Sequence, residues 1–214
     1  MASAKHYVLP FGLFILLTEL ARHLPENAHL IYAGKTILVG GLLFFWRRLF
    51  PEIWTRASLK HLLLALGTGI FVFLCWIKAE GILPTLGSGK GFSPFAFGLD
   101  EKTAQALAGV RLLGAALVVP IMEELFWRSF LMRYLIRKDF QKVPLGTYQH
   151  FSFWAVVFLF ALEHYRIFPA FLAGVVYGGL LCYTKNLRVP IVSHAVTNLC
   201  LGIYVLFTRQ WMFW

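Results

Sequence analysis

Apolar stretches long enough to cross a bilayer recur along almost the whole chain, and they leave it few folds to adopt. They fall at roughly 7–21, 29–46, 61–77, 104–136, 151–165, 167–184 and 189–208. The hydrocarbon layer is about 30 Å thick and takes about 20 helical residues to span. It offers the backbone no hydrogen-bond partner, so each segment must satisfy its own N–H and C=O groups as a helix. The sequence therefore predicts an all-α polytopic transmembrane bundle of about seven to eight helices, forming one domain over 1–214. The stretches at 7–21 and 151–165 are short for the purpose. With 59% hydrophobic and 14% charged residues, disorder is excluded and an ordinary soluble domain does not fit. The first stretch contains Pro10 and Glu19 with no small-residue cleavage site after it, so it reads as a span and not as a signal peptide.

The formal charge of +10 is spread over loops, with no basic patch interleaved with aromatics. Membrane lipids are the expected partner of these charges, and no nucleic acid. Lys5, Arg47, Arg48, Arg56, Lys60, Arg128, Arg133, Arg137, Lys138, Lys142, Lys185 and Arg188 fall at one set of alternating segment ends. Arg22, Lys78, Lys90, Lys102, Arg166 and Arg209 fall at the other. This bias predicts a cytoplasmic N-terminus. Residues 79–103 carry five glycines and two prolines, which is loop chemistry, and Phe92, Phe95 and Phe97 suit it to resting on the membrane or capping a cavity. Trp211 to Trp214 reads as an interfacial aromatic anchor. Cys75, Cys182 and Cys200 lie in apolar segments without metal-type spacing and read as buried structural thiols.

Within the fourth segment, Glu123 and Glu124 stand side by side in an otherwise apolar run. A charged side chain at the centre of a bilayer helix costs at least about 2.5–3.5 kcal/mol, so two in succession need partners, water or a purpose. Arg128, four residues beyond Glu124, shares its helix face and can neutralise it. Glu123 is turned about 100° away and has no local cation. Pro120, three residues before Glu123, predicts a kink beside the pair. Further polar groups follow on separate apolar segments: His164, with Phe160 four residues before it, then His194 and Asn198, again four apart and on one face.

Hydrolysis of an amide needs a base for water, donors for the developing oxyanion and an acid for the leaving amine. A desolvated carboxylate is a stronger base than one in water, and imidazole and carboxamide N–H groups suit an oxyanion. Ser129 and Ser193 lack the surroundings of an activated nucleophile, which favours attack by water. Zinc is the alternative, with Glu123, His164 and His194 as ligands. Against it, the histidine–glutamate–x–x–histidine helix of zinc peptidases is missing, and Asn198 is a poor zinc ligand but a good donor.

Glu123-Glu124-x-x-x-Arg128, Phe160-x-x-x-His164 and His194-x-x-x-Asn198, in that order, resemble the CPBP intramembrane proteases, the group of the CAAX prenyl endopeptidases and bacterial Abi proteins. Tyr32-Ala-Gly-Lys-Thr36, Arg47-Arg-Leu-Phe-Pro-Glu52 and the region of Trp76 resemble a bacterial CAAX protease-related branch associated with exosortase systems. The resemblance implies a glutamate-dependent endopeptidase in a bacterial cytoplasmic membrane, its catalytic helices within 104–208. Glu123 would activate water with help from His164, Glu124 and Arg128 would hold the site in shape, and His194 and Asn198 would bind the oxyanion, with Phe160 in support. The substrate would be a peptide or protein, lipidated or membrane-anchored. Ser129 departs from the glycine that many relatives carry after the arginine. Two other functions compete: a non-catalytic scaffold of the same fold, and a proton-coupled transporter, against which the sequence shows no repeated half.

Straight helices over these limits put His194 about 8 Å from one membrane face and His164 near the other, so the resemblance demands a convergence that segment limits alone do not provide. The charge bias is tested by cysteine-accessibility labelling in intact cells after replacement of Cys75, Cys182 and Cys200. Cysteines at Lys138 and Lys185 are expected to label from the cytoplasm and one at Lys90 from outside; labelling of position 90 from the cytoplasm alone overturns the orientation.

Overall fold

The computed structural model of the chain describes residues 2–87 and 91–214; Lys90, and its expected side, lies outside the described residues. Regular structure among them is entirely helical, in seven principal helices. These are α1 (Ala4–His23), α2 (Ala28–Trp46), α3 (Leu59–Lys78), α4 (Glu101–Tyr134), α5 (His150–Leu162), α6 (Ile167–Thr184) and α7 (Arg188–Thr208). Six are long and apolar enough to cross a bilayer, and α5, with 13 residues, is the short one. Each expected apolar segment is matched by one of these helices, in order.

The longest, α4, has 34 residues, about 51 Å at 1.5 Å per residue. Asp100 starts it by accepting from the backbone N–H groups of Lys102 and Thr103, the usual role of an N-cap aspartate. The Thr103 hydroxyl and these N–H groups hold its exposed carboxyl below the usual range. Further on, α4 is not uniform. Gly114–Val118 and Leu125–Leu131 are π-helical, and Val119–Glu124 between them is α-helical. Pro120 has no N–H and crowds the turn before it. The widened turn at 114–118 absorbs that crowding, so the expected kink takes the form of a π segment.

Polar contacts sort the connections to two ends of the bundle. At one end, Glu52 Oε1 accepts from Tyr7 Oη and Ser129 Oγ, both at 2.7 Å, and Arg133 donates to Ser129 Oγ at 2.8 Å. Asn186 Nδ2 donates to Arg56 O at 3.0 Å and Lys185 Nζ to Gly146 O at 2.6 Å. At the other end, Arg166 pairs with Glu80 at 2.6 Å and donates to Met212 O at 3.0 Å, while Leu86 N donates to Tyr165 O at 2.8 Å. Arg128 and Arg133 are buried within α4 and do not belong with the loop charges; the bias towards the first end survives their removal.

The glycine-rich connection folds over that second end, with Gly91, Phe92, Ser93, Ala96 and Phe97 lining a cavity. Capping, the second of its two expected roles, is the one observed. The C-terminal aromatics depart from expectation. Instead of projecting as an interfacial anchor, Phe213 and Trp214 are tucked into the wall of the same cavity. The Arg166 guanidinium, 4.5 Å from the Phe213 ring, holds them there.

Lipid tails are as apolar as leucine, so helices in a membrane associate through close packing of small residues and polar contacts. The contact of α3 with α7 is such a case: a Cβ on Gly69 would lie 2.5 Å from Ser193 O and 2.8 Å from Val196 Cβ. Beside it, Thr68 Oγ1 and Ser193 Oγ share a hydrogen bond of 2.9 Å. Gly69→Ala is therefore expected to lower the thermal unfolding midpoint, overpacking of this kind costing about 1–3 kcal/mol. Gly67→Ala, whose Cβ would meet nothing within 4 Å, is expected to melt no lower than the parent protein in the same detergent.

Candidate active site

Both carboxylates occupy the α-helical turn of α4 between its two π segments, where Glu123 is 5% exposed and Glu124 fully buried. Glu124 is the better partnered. Its Oε1 lies 3.0 Å from His194 Nδ1 and 3.1 Å from Arg128 Nη1. The Arg128 contact is an ion pair off hydrogen-bond geometry, and all three guanidinium nitrogens lack a hydrogen-bond partner among the described residues. The guanidinium instead faces aromatic rings, 4.3 Å from the centroid of Phe160 and 5.5 Å from that of Tyr177. A fully buried charge is held here by one opposite charge and two π faces.

His194 is fixed from both sides. Its ring stacks on Tyr177 at 4.8 Å with an interplanar angle of 18°, and Glu124 takes its Nδ1. Tyr177 in turn donates to Thr197 Oγ1 at 2.8 Å, and Thr197 donates to Gly69 O at 2.9 Å. This chain of contacts ties α6, α7 and α3 together behind the imidazole. One turn along α7, Asn198 Nδ2 donates to Ala115 O at 2.9 Å, so the first π segment of α4 supplies the carbonyl that orients the carboxamide.

His164 resolves the expected conflict of depth. The short helix α5 ends at Leu162, and His164 folds back so that its Nδ1 lies 2.8 Å from Phe160 O. Phe160 then stands between the two histidines, its ring 4.8 Å from His164 and 6.2 Å from His194. A carbonyl only accepts, so His164 Nδ1 carries the proton and Nε2 is left as the acceptor of the neutral ring.

Glu123, His164, His194 and Asn198 all line one cavity of about 900 Å³. Glu124, Arg128 and Phe160 lie behind it, buried, and act on the site through the residues they touch. A smaller cavity of about 450 Å³, between α1 and the end of α5, also reaches Glu123 and His164. Glu123 Oε2 is buried without a hydrogen-bond partner among the described residues. Its charge has no counter-ion there either, which separates it from its neighbour.

Sequence reasoning missed three members. Glu163 lines both cavities beside Glu123, with a buried unpartnered Oε2; an acid adjoining the motif histidine in an apolar run was the available signal. Tyr177 and Thr197, by contrast, sit in runs where nothing marks them. Among the described residues no three His, Cys, Asp or Glu side chains come close enough to hold one ion; Glu123, His164 and His194 line the same cavity.

Residues 105–200 match the family model described as type II CAAX prenyl endopeptidase, Rce1-like. No curated protein and no solved structure matches the chain. The matched range contains all three of the motifs that meet at the cavity.

Removing either member of the buried pair strands the other, at a cost of about 3–5 kcal/mol. Arg128→Leu and Glu124→Gln are accordingly expected to lower the melting temperature and yield of the purified protein. Unchanged melting in both variants would show that the pair does not hold the bundle together.

Proposed function

We propose, for a chain that belongs through residues 105–200 to the CAAX protease family, that it is an intramembrane endopeptidase in which Glu123 activates the attacking water. The observation that carries this reading is the buried, unpartnered Oε2 of Glu123 on the cavity shared with His164, His194 and Asn198. A carboxylate without a counter-ion in a water-accessible cavity is built to take a proton, whereas Glu124 is committed to Arg128 and His194.

The reaction follows from these assignments. Water attacks the peptide carbonyl carbon as Glu123 accepts its proton, with His164 Nε2 accepting the water's second hydrogen bond. The carbonyl oxygen becomes an oxyanion, which the remaining Asn198 N–H and, when it carries a proton, His194 Nε2 receive; one such donor is worth about 10²–10³ in rate. The intermediate collapses, the C–N bond breaks, and the proton held by Glu123 passes to the departing amine. Glu124 acts through His194, keeping its Nδ1 occupied and its Nε2 turned to the cavity. No step requires a metal, and the proposal is a metal-independent one.

The substrate is a peptide or protein in the membrane, and a lipidated or membrane-anchored chain suits a cavity embedded among apolar helices. Residence in a bacterial cytoplasmic membrane with the N-terminus inside, in the exosortase-associated branch, belongs to the same proposal and rests on the charge bias and the segments 32–36 and 47–52.

Glu123→Gln tests the mechanism. The change is nearly isosteric and adds no buried charge, so the variant should express and melt like the parent while cleavage of a candidate peptide by purified protein falls at least about 10²-fold. Equal activity removes Glu123 from the mechanism. In the same assay, chelation is expected to leave turnover unchanged; loss that only zinc restores would make the histidines ligands and refute the metal-independent step.

A further inference from the structure

Four cations line the large cavity: Arg22, Lys35, Arg111 and Arg166. Two have acids of their own, Arg22 with Glu19 at 2.8 Å and Arg166 with Glu80 at 2.6 Å. Among the described residues, no carboxylate comes within 4.0 Å of Lys35 or Arg111. Lys35 is 5% exposed. Its Nζ donates to Thr18 Oγ1 at 2.6 Å and lies 4.1 Å from the Phe14 ring centroid and 4.9 Å from that of Tyr32. The Arg111 guanidinium is 4.4 Å from the same Tyr32 ring and 4.5 Å from Phe92, and its Nε is buried without a partner. One tyrosine thus gathers both cations into a single patch of the wall.

Such a patch is incomplete as it stands. A guanidinium stays charged at any ordinary pH, and an aromatic face offsets about 0.5–2 kcal/mol of its desolvation, against several kcal/mol for each buried ion. An anion seated between the two cations supplies what the rings do not. We propose that Lys35 and Arg111 form a subsite for a carboxylate of the peptide substrate, within the cavity that holds Glu123. The guanidinium offers the planar donor pair that a carboxylate matches, and the ammonium adds a point charge. Shared lining favours a peptide over a lipid headgroup: Lys35 and Arg111 line the cavity that also holds Glu123, so a chain reaching Glu123 occupies the space in front of them. The subsite rests on the reading of the cavity as the place where substrate binds.

The test reads binding and not cleavage. Glu123→Gln protein in phosphatidylcholine nanodiscs is titrated with a dansylated Leu-Leu-Phe tripeptide, once as the free acid and once as the carboxamide. The acid is expected to bind at least about tenfold more tightly, as charge-assisted hydrogen bonds require. That margin should fall below about threefold when Lys35→Met or Arg111→Met is added, and survive in part with Arg111→Lys. Equal binding of acid and amide overturns the subsite, and that comparison needs no cation variant to fold. A margin that persists with both methionine replacements overturns it too. So does phosphatidylglycerol that co-purifies with the Glu123→Gln protein, is lost on adding Arg111→Met, and cancels the acid's advantage when placed in the nanodiscs; the patch would then hold a lipid phosphate. The Glu123→Gln protein is expected not to turn over, so a failure here leaves the peptidase reading standing. Failure of that reading in the cleavage assay would leave the acid–amide margin intact.

Discussion

The Glu124–Arg128 pair is the constraint around which the bundle is organised. Two opposite charges with no exposure at all are stable in an apolar bundle only if the groups around them arrive in register. Arg128 needs the rings of Phe160 and Tyr177, which brings α5 and α6 against α4. Glu124 needs His194, which brings α7, and Tyr177 then links through Thr197 to the backbone of α3. Five helices are thereby positioned by one ion pair. Glu123, one residue away, inherits a rigid setting while keeping its own oxygen free. The same helix turn therefore holds a carboxylate committed to its partners and one without them among the described residues, distinguished by a rotation of about 100°.

The two π segments of α4 make that arrangement geometrically attainable. A π turn relaxes the regular pairing of carbonyls with N–H groups further along the helix. Ala115, in the first π segment, gives its carbonyl to Asn198, and Arg128 and Ser129, in the second, serve Glu124 and Glu52. The irregular parts of the longest helix are those from which it reaches its neighbours.

Much of this was legible in the residues. Apolar segment lengths gave the helices in order, and the polar residues isolated within them, Glu123, His164, His194 and Asn198, are those that meet at the cavity. What stayed hidden has physical reasons. Hydropathy cannot show where α5 stops, because Leu162 and Tyr165 are both compatible with a continuing helix; the fold-back of His164 onto its own Phe160 carbonyl is a tertiary choice. The C-terminal aromatics have the composition of a membrane anchor, and only the positions of Arg111 and Arg166 reveal that Trp214 and Phe213 turn inward. Lys35 stands inside the apolar stretch 29–46; that no carboxylate among the described residues lies within 4.0 Å of it becomes visible once α1, α2 and α4 are packed together. Tyr177 looks like any core aromatic until Arg128 and His194 are found on its two sides.

The brevity of α5 reaches beyond the histidine it positions. Thirteen helical residues rise about 20 Å, some two thirds of a hydrocarbon layer about 30 Å thick. Yet Phe151, Phe158, Leu159 and Leu162 are exposed along it. On this flank the protein presents a shorter oily wall than on any other, and lipid must shorten to meet it. A leaflet thinned beside Glu163 and His164 would bring interfacial water close to the cavities that these two residues line.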